Sequence, residues 1–90
     1  MEFEYDKAKS DLNLEKHGID FEEAQALWDD RNRVEFRLQA AGEKRFGVLA
    51  RYAGCVWLAV TTLRGLRIRI VFVRRATLKE ASFYDKENNR

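Results

Sequence analysis

From Val34 onward the apolar residues recur at a period of two, and short turn signals cut the remaining chain into strands. Val34, Phe36 and Leu38 alternate with Glu35 and Arg37, the pattern of a half-buried strand. Ala40-Ala41-Gly42-Glu43 then turns the chain. A second strand is predicted over residues 45–52 and ends at Ala53-Gly54, a tight-turn pair. The third, residues 55–63, is almost wholly apolar and is therefore expected in the middle of the sheet, covered on both faces. Arg64-Gly65 signals another tight turn, followed by a strand over 66–73. Connections this short leave no room for the crossovers that parallel strands need, so the four strands are expected to form an antiparallel sheet.

The segment before Val34 reads as two helices. Phe3 and Tyr5 precede Asp6, a candidate N-cap, and the helix runs to about His17 with Ala8, Leu12 and Leu14 turned inward and Gly18 ending it. Asp20 and Glu23 make a capping-box-like pair for the second, whose apolar face is Phe21, Ala24, Leu27 and Trp28. Asp29-Asp30-Arg31-Asn32 closes it. Beyond the strands, Thr77 and Glu80 form another capping box and open a short helix to about Lys86, after which the tail is expected to fray. The fold class is thus α+β: two N-terminal helices, a four-stranded antiparallel sheet and a C-terminal helix. The early helices are expected to pack on one sheet face and leave the other partly open.

Ninety residues make one domain, here residues 1–90, and 46% apolar residues suffice for a core. The net charge of +2 hides a split. Residues 1–30 carry ten acids and three lysines, a balance of −7, whereas residues 31–90 carry five acids and fourteen Lys or Arg, a balance of +9. The basic part is suited to RNA, DNA or an acidic partner. The single cysteine, Cys55, permits no intramolecular disulfide and reads as a small buried hydrophobe in a reducing, cytoplasmic setting. No stretch approaches the roughly 18–20 apolar residues of a membrane span, and no signal-peptide pattern opens the chain.

Five arginines, Arg64, Arg67, Arg69, Arg74 and Arg75, fall within twelve residues. A guanidinium stays charged and meets a phosphate through two parallel hydrogen bonds. Arg67 and Arg69 share one strand face. Arg74 has the opposite parity and lies past the expected strand end, where a twist or bulge would be needed to re-aim it. Arg51 and Arg64 are secondary candidates for phosphate contact, and Arg75 is expected to serve the last helix or pair with Glu80. The plainer alternative is a solubilising strand that discourages edge pairing. His17 is the only histidine, hence a candidate general acid or base, and Lys16 precedes it. The alternative for both is a favourable meeting of cations with a helix C-terminus. Tyr84 is either ordinary packing with a wet hydroxyl or a contact to phosphate or base. Trp28 and Trp57 read as core. One His and one Cys do not build a usual zinc site, Asp29-Asp30 reads as a solvated helix end, and the chain has no phosphate-cradling glycine loop, so no metal or cofactor is expected.

The chain resembles the BrnT family of bacterial type II toxins. The matching segments are Phe3-Glu4-Tyr5-Asp6, Lys9 and Asn13, Lys16-His17-Gly18-Ile19-Asp20-Phe21-Glu22-Glu23-Ala24, Glu43-Lys44-Arg45-Phe46, Arg67-Ile68-Arg69-Ile70, and Arg74-Arg75-Ala76 with Glu80 and Tyr84 behind it. Tyr5 replaces the usual tryptophan of the opening motif, Phe72-Val73 replaces a small pair, and Ala81 stands where an arginine is common. The resemblance implies a RelE-like fold and a metal-independent endoribonuclease that slows growth. It also implies an antitoxin of the BrnA type, whose ribbon-helix-helix part binds operator DNA so that the complex represses its own operon.

Metal-free RNA cleavage needs a group to take the 2′-hydroxyl proton, cations on the phosphate, and an acid for the departing 5′-oxygen. The catalytic candidates are His17, Lys16, Arg69, Arg74 and Tyr84, with Arg51, Arg64 and Arg67 holding RNA phosphates. The rival expectation is a non-catalytic module that docks an acidic chain or RNA. Direct DNA binding is disfavoured because both early helices are acidic. The catalytic expectation requires the guanidiniums to gather on an accessible patch near His17, rather than each being locked to its own carboxylate.

Overall fold

A computed structural model describes residues 1–39 and 42–89. The expected turn at Ala40-Ala41 and the terminal Arg90 lie outside the described residues. The Asp6 carboxylate accepts the Lys9 N–H at 3.1 Å and starts helix α1, Lys7–His17. Gly18 ends it in the left-handed conformation (φ 76°), where a residue without Cβ is unstrained. Asp20 accepts the Glu23 N–H at 2.8 Å, but the segment Glu23–Asp29 that follows is a 3-10 helix, not the expected α-helix. Three residues per turn stack Phe21, Ala24 and Leu27 in one row, and all three are buried.

The sheet has five strands and is mixed, which corrects the expected four-stranded antiparallel arrangement. Strands β2 (Val34–Leu38), β3 (Arg45–Tyr52), β4 (Cys55–Arg64) and β5 (Arg67–Arg75) form the antiparallel meander. The fifth member is β1, Glu2–Glu4, which pairs parallel to the start of β5 and gives the order β1-β5-β4-β3-β2. Three residues are too few to show a period, and their partner lies at the far end of the chain. The β3–β4 turn is Ala53-Gly54 as expected, with φ 52° and 82°, the doubly positive geometry that matches strand twist. The next turn sits on Gly65-Leu66, one residue later than expected, because Arg64 still pairs with Arg67.

Strand β4 is central and feeds two cores by alternation. Trp57 and Ala59 join Ile19, Phe21, Ala24, Leu27, Trp28, Val48, Ala50, Ile70 and Val73 on one face. Val56, Leu58 and Val60 join Leu49 and Tyr84 on the other. The 3-10 helix covers the first face, and α2 (Leu78–Asn88) crosses part of the second. Its capping box is complete, with Thr77 and Glu80 satisfying each other's backbone N–H groups. The helix reaches Asn88, whose side chain donates to the Asn32 carbonyl, so the order extends past the expected start of fraying at Glu87. Cys55 is half-buried rather than fully enclosed.

Helix α1 is inverted relative to its apolar pattern. Leu12 and Leu14 remain 53% and 47% exposed and Ala8 is exposed, while Ser10 and Asn13 are buried. The reason is what α1 covers. β1 pairs only with residues 67–69 of β5, so among the described residues the outer edge of β5 beyond that point has no strand neighbour. Asn13 takes that place: its Nδ2 donates to the Val73 carbonyl at 2.9 Å and its Oδ1 accepts the Val73 N–H at 3.1 Å. A carboxamide carries the same donor and acceptor as a peptide, so Asn13 completes the ladder as a strand would. Nδ2 also donates to the Ile19 carbonyl at 2.8 Å, and Ser10 Oγ accepts the Phe21 N–H at 2.9 Å. Helix α1 is thus held on the sheet edge by polar groups, not on a face by apolar ones. No helix among the described residues is long and apolar enough to cross a membrane.

Candidate active site

The arginine strand contains a β-bulge. Thr61 pairs with Ile70 and Val60 with Phe72, which leaves Val71 as an extra residue in β5. Parity therefore switches at Val71. Arg69 stands opposite Thr62 and Arg74 opposite Leu58, so both project from the face of Leu58, Val60 and Thr62. β5 runs to Arg75, so Arg74 lies inside the strand rather than beyond it, and the bulge re-aims it. Arg75 emerges on the opposite face, with its guanidinium 5.6 Å from the centre of the Trp57 ring. The expected pairing of Arg75 with Glu80 is made by Arg74 instead.

Sharing a face does not make one cluster. Arg69 and Arg74 face β4 residues four apart, about 13 Å along the strand. Arg74 forks onto Glu80, with Nη1 and Nη2 donating to its two oxygens at 2.9 and 3.0 Å. That pair holds the Glu80 carboxyl below its ordinary value, first through the arginine hydrogen bonds, against burial and helped by the Thr77 N–H. Glu80 also closes the α2 capping box, so Arg74 ties β5 to the helix start.

Arg51 and Tyr84 lie at the other end of β3. Tyr84 is 4% exposed, and its hydroxyl donates to Asp30 at 2.6 Å. Burial, then this hydrogen bond, raises the Tyr84 pKa. Burial acts to raise Asp30 as well, but the Arg51 N–H, the Tyr84 hydroxyl and the Asn32 N–H outweigh it and hold the carboxyl low. Arg51 leans over the Tyr84 ring and reaches Asp85 at 3.5 Å. These groups anchor α2 and the end of the 3-10 helix to the sheet.

The residues that do converge are at the opposite end. Lys9 from α1, Arg45 from β3, Thr62 and Arg64 from β4 and Arg69 from β5 line an open cleft of about 150 Å³, and the carboxylates of Asp6 and Glu43 line it with them. Alternation places Arg45, Thr62, Arg64 and Arg69 on the same sheet face. A second cavity, of about 290 Å³, adjoins it and shares Lys9 and Val71, and here Lys16 and His17 reach the surface. Lys9, Asn13, Lys16 and His17 form one helix stripe, so the contact that buries Asn13 also presents the three basic side chains beside β5. Arg67 starts β5 and does not line the cleft.

The parallel register of β1 sets Glu2 against Arg67 and Glu4 against Arg69. Glu4 lies 2.8 Å from Arg69, Glu2 3.4 Å from Arg67, and Glu43 3.8 Å from Arg64. Each arginine expected to touch RNA thus has a carboxylate of its own, contrary to the gathering of free guanidiniums that the sequence suggested. The long, exposed Arg67 and Arg64 pairs contribute on the order of 0–1 kcal/mol at most and exchange readily for another anion. Lys9 and Arg45 form no ion pair among the described residues. Neither is among the site residues expected from the sequence, although both lie in segments that carry the family resemblance. Their convergence depends on α1 lying along the sheet edge, which no local pattern reveals. Among the described residues no group of three or more His, Cys, Asp or Glu side chains converges as a metal site.

Comparison with curated proteins finds no match. A family model described as the ribonuclease toxin BrnT of type II toxin–antitoxin systems matches residues 5–80, a span that includes α1, the whole meander and the Arg74–Glu80 pair. By that match, the chain with this cationic cleft at a sheet edge belongs to the BrnT family of ribonuclease toxins.

Proposed function

We propose that this toxin is a metal-independent endoribonuclease whose reaction centre is the cleft of Lys9, Arg45, Arg64 and Arg69, bordered by Lys16 and His17. The observation that carries this reading is the convergence of basic side chains from α1, β3, β4 and β5 on one open concavity. RNA supplies its own nucleophile, the 2′-hydroxyl, which attacks the adjacent phosphorus. The guanidiniums of Arg69, Arg45 and Arg64 neutralise charge gathering on the phosphate oxygens, where fixed donors act most strongly. Proton removal and delivery fall to the α1 stripe, with His17 and Lys16 the groups in reach of a phosphodiester lying across both cavities. Glu4 and Glu43 occupy Arg69 and Arg64 in the free protein and give way to phosphate. Arg51, Arg74 and Tyr84, bound within their own contacts, hold the scaffold, and Arg67 extends the basic rim.

A type II toxin works against an antitoxin. Here the partner is proposed to be a BrnA-like ribbon-helix-helix protein that lays acidic side chains over the same cleft and brings operator DNA to the complex, both proteins acting in the cytoplasm. The test is cleavage of a single-stranded RNA in EDTA. Wild-type protein should cut, and Arg69→Ala and Lys9→Ala should each lose most activity while Arg51→Ala keeps it. An inactive wild type that still binds RNA would leave only the docking role.

A further inference from the structure

Phe72 is placed where packing alone gives no reason for it. In an unbroken strand it would share the face of Ile68 and Ile70 and enter the first core. The bulge at Val71 turns it to the other side, opposite Val60, where it stays 37% exposed. It lies in β5 past the end of β1, beside the basic stripe of α1. Leu12, which an amphipathic helix would bury, lines the same cavity of about 290 Å³. Leu12, Phe72 and Val71 therefore bound a concavity that also holds Lys9, Asn13, Lys16 and His17. It opens into the cationic cleft through the shared Lys9 and Val71.

A concavity lined by Leu12, Val71 and the aromatic Phe72 together with Lys9, Lys16 and His17, joined to a cleft of about 150 Å³, matches one nucleotide: base against the apolar side chains, phosphate in the cleft. We propose that the cavity between Leu12 and Phe72 is a nucleobase subsite, in which a base next to the scissile phosphate stacks on the Phe72 ring. This inference rests on the ribonuclease reading above. A base within a duplex has both faces covered by its neighbours, so the substrate must be unpaired at this position. Stacking engages the face every base possesses, so the subsite favours single strands without strong selection among bases.

The test uses a short single-stranded oligonucleotide, 2′-O-methylated so that it lacks the attacking hydroxyl, with 2-aminopurine at one position, and a second oligonucleotide abasic there. Wild-type protein should bind the first and quench its fluorescence. Phe72→Ala should weaken that binding about 5- to 100-fold and abolish the quench, and Phe72→Trp should keep both. The abasic oligonucleotide should bind wild type and Phe72→Ala equally. Unchanged affinity and quench in Phe72→Ala would overturn the subsite while leaving the cleft reading intact. An equal loss of both oligonucleotides would also overturn it, by showing that Phe72 acts on the backbone or the fold. Failure of the wild type to bind either one and to cleave RNA would overturn the ribonuclease reading and the subsite together.

Discussion

Replacing Asn13 by alanine removes the group that completes the β5 edge and docks the basic helix stripe. The structure gives the magnitude. Three hydrogen bonds are lost, leaving the Val73 N–H, the Val73 carbonyl and the Ile19 carbonyl without their partner at a buried position. An unsatisfied buried group costs about 1–3 kcal/mol, and carbonyls are at the low end because they tolerate partial satisfaction. The sum is about 3–5 kcal/mol, a large share of the roughly 5–15 kcal/mol that holds a domain together. For a chain of this length it corresponds to a fall in Tm of about 12–40 °C. Urea unfolding followed through Trp28 and Trp57 fluorescence measures it. Asn13→Asp sharpens the test. At neutral pH it turns a carboxylate toward two carbonyl oxygens, so it should be less stable than Asn13→Ala. It should recover as acid protonates the carboxyl and restores a donor. An Asn13→Ala protein within about 0.5 kcal/mol of wild type would instead show that water satisfies this edge as well as the side chain does, and that Asn13 does not hold α1 in place.

Arg69→Ala should lower RNA cleavage about 10²- to 10³-fold, the usual loss when a charge-stabilising donor is removed, with the unfolding midpoint little changed; single-turnover rates alongside urea curves check this. Glu4→Gln removes the carboxylate that competes for Arg69 and should raise affinity for a non-cleavable RNA, measured by anisotropy; weaker binding would show that Glu4 is needed to aim the guanidinium. Tyr84→Phe should destabilise by about 1–3 kcal/mol through loss of a hydrogen bond to a carboxylate, yet leave the rate per folded molecule unaltered. For pH, Asp30 and Glu80 are held below their ordinary values of 3.8 and 4.5, so their stabilisation is complete above those values and disappears as the pH falls below them. Tyr84 is raised above its ordinary 10.0, so its contribution is complete below that value and is lost as the pH rises beyond it through the raised folded value. The urea midpoint should therefore decline at both extremes, and Tyr84→Phe should flatten the alkaline side.

The meander, the capped α1, the apolar face of the segment after it and the α2 capping box follow from the chain itself. Each depends on neighbours a few residues apart: alternation in Val34–Leu38, positive φ at Ala53-Gly54, the Thr77–Glu80 exchange. The charge split and the arginine run likewise announced a surface for anions. Only the folded molecule decided which arginines serve it. β1 is three residues long and pairs with residues 67–69, so the neutralising positions of Glu2 and Glu4 depend on a contact spanning most of the chain. The bulge at Val71 exists only in the register between two strands, yet it sets which way Phe72 and Arg74 point. Asn13 reads as an ordinary polar helix residue until an unpaired strand edge lies beside it. Local patterns reflect the conformational preferences of adjacent residues, whereas the cleft is made of groups brought together by long-range pairing, which leaves no period in the sequence.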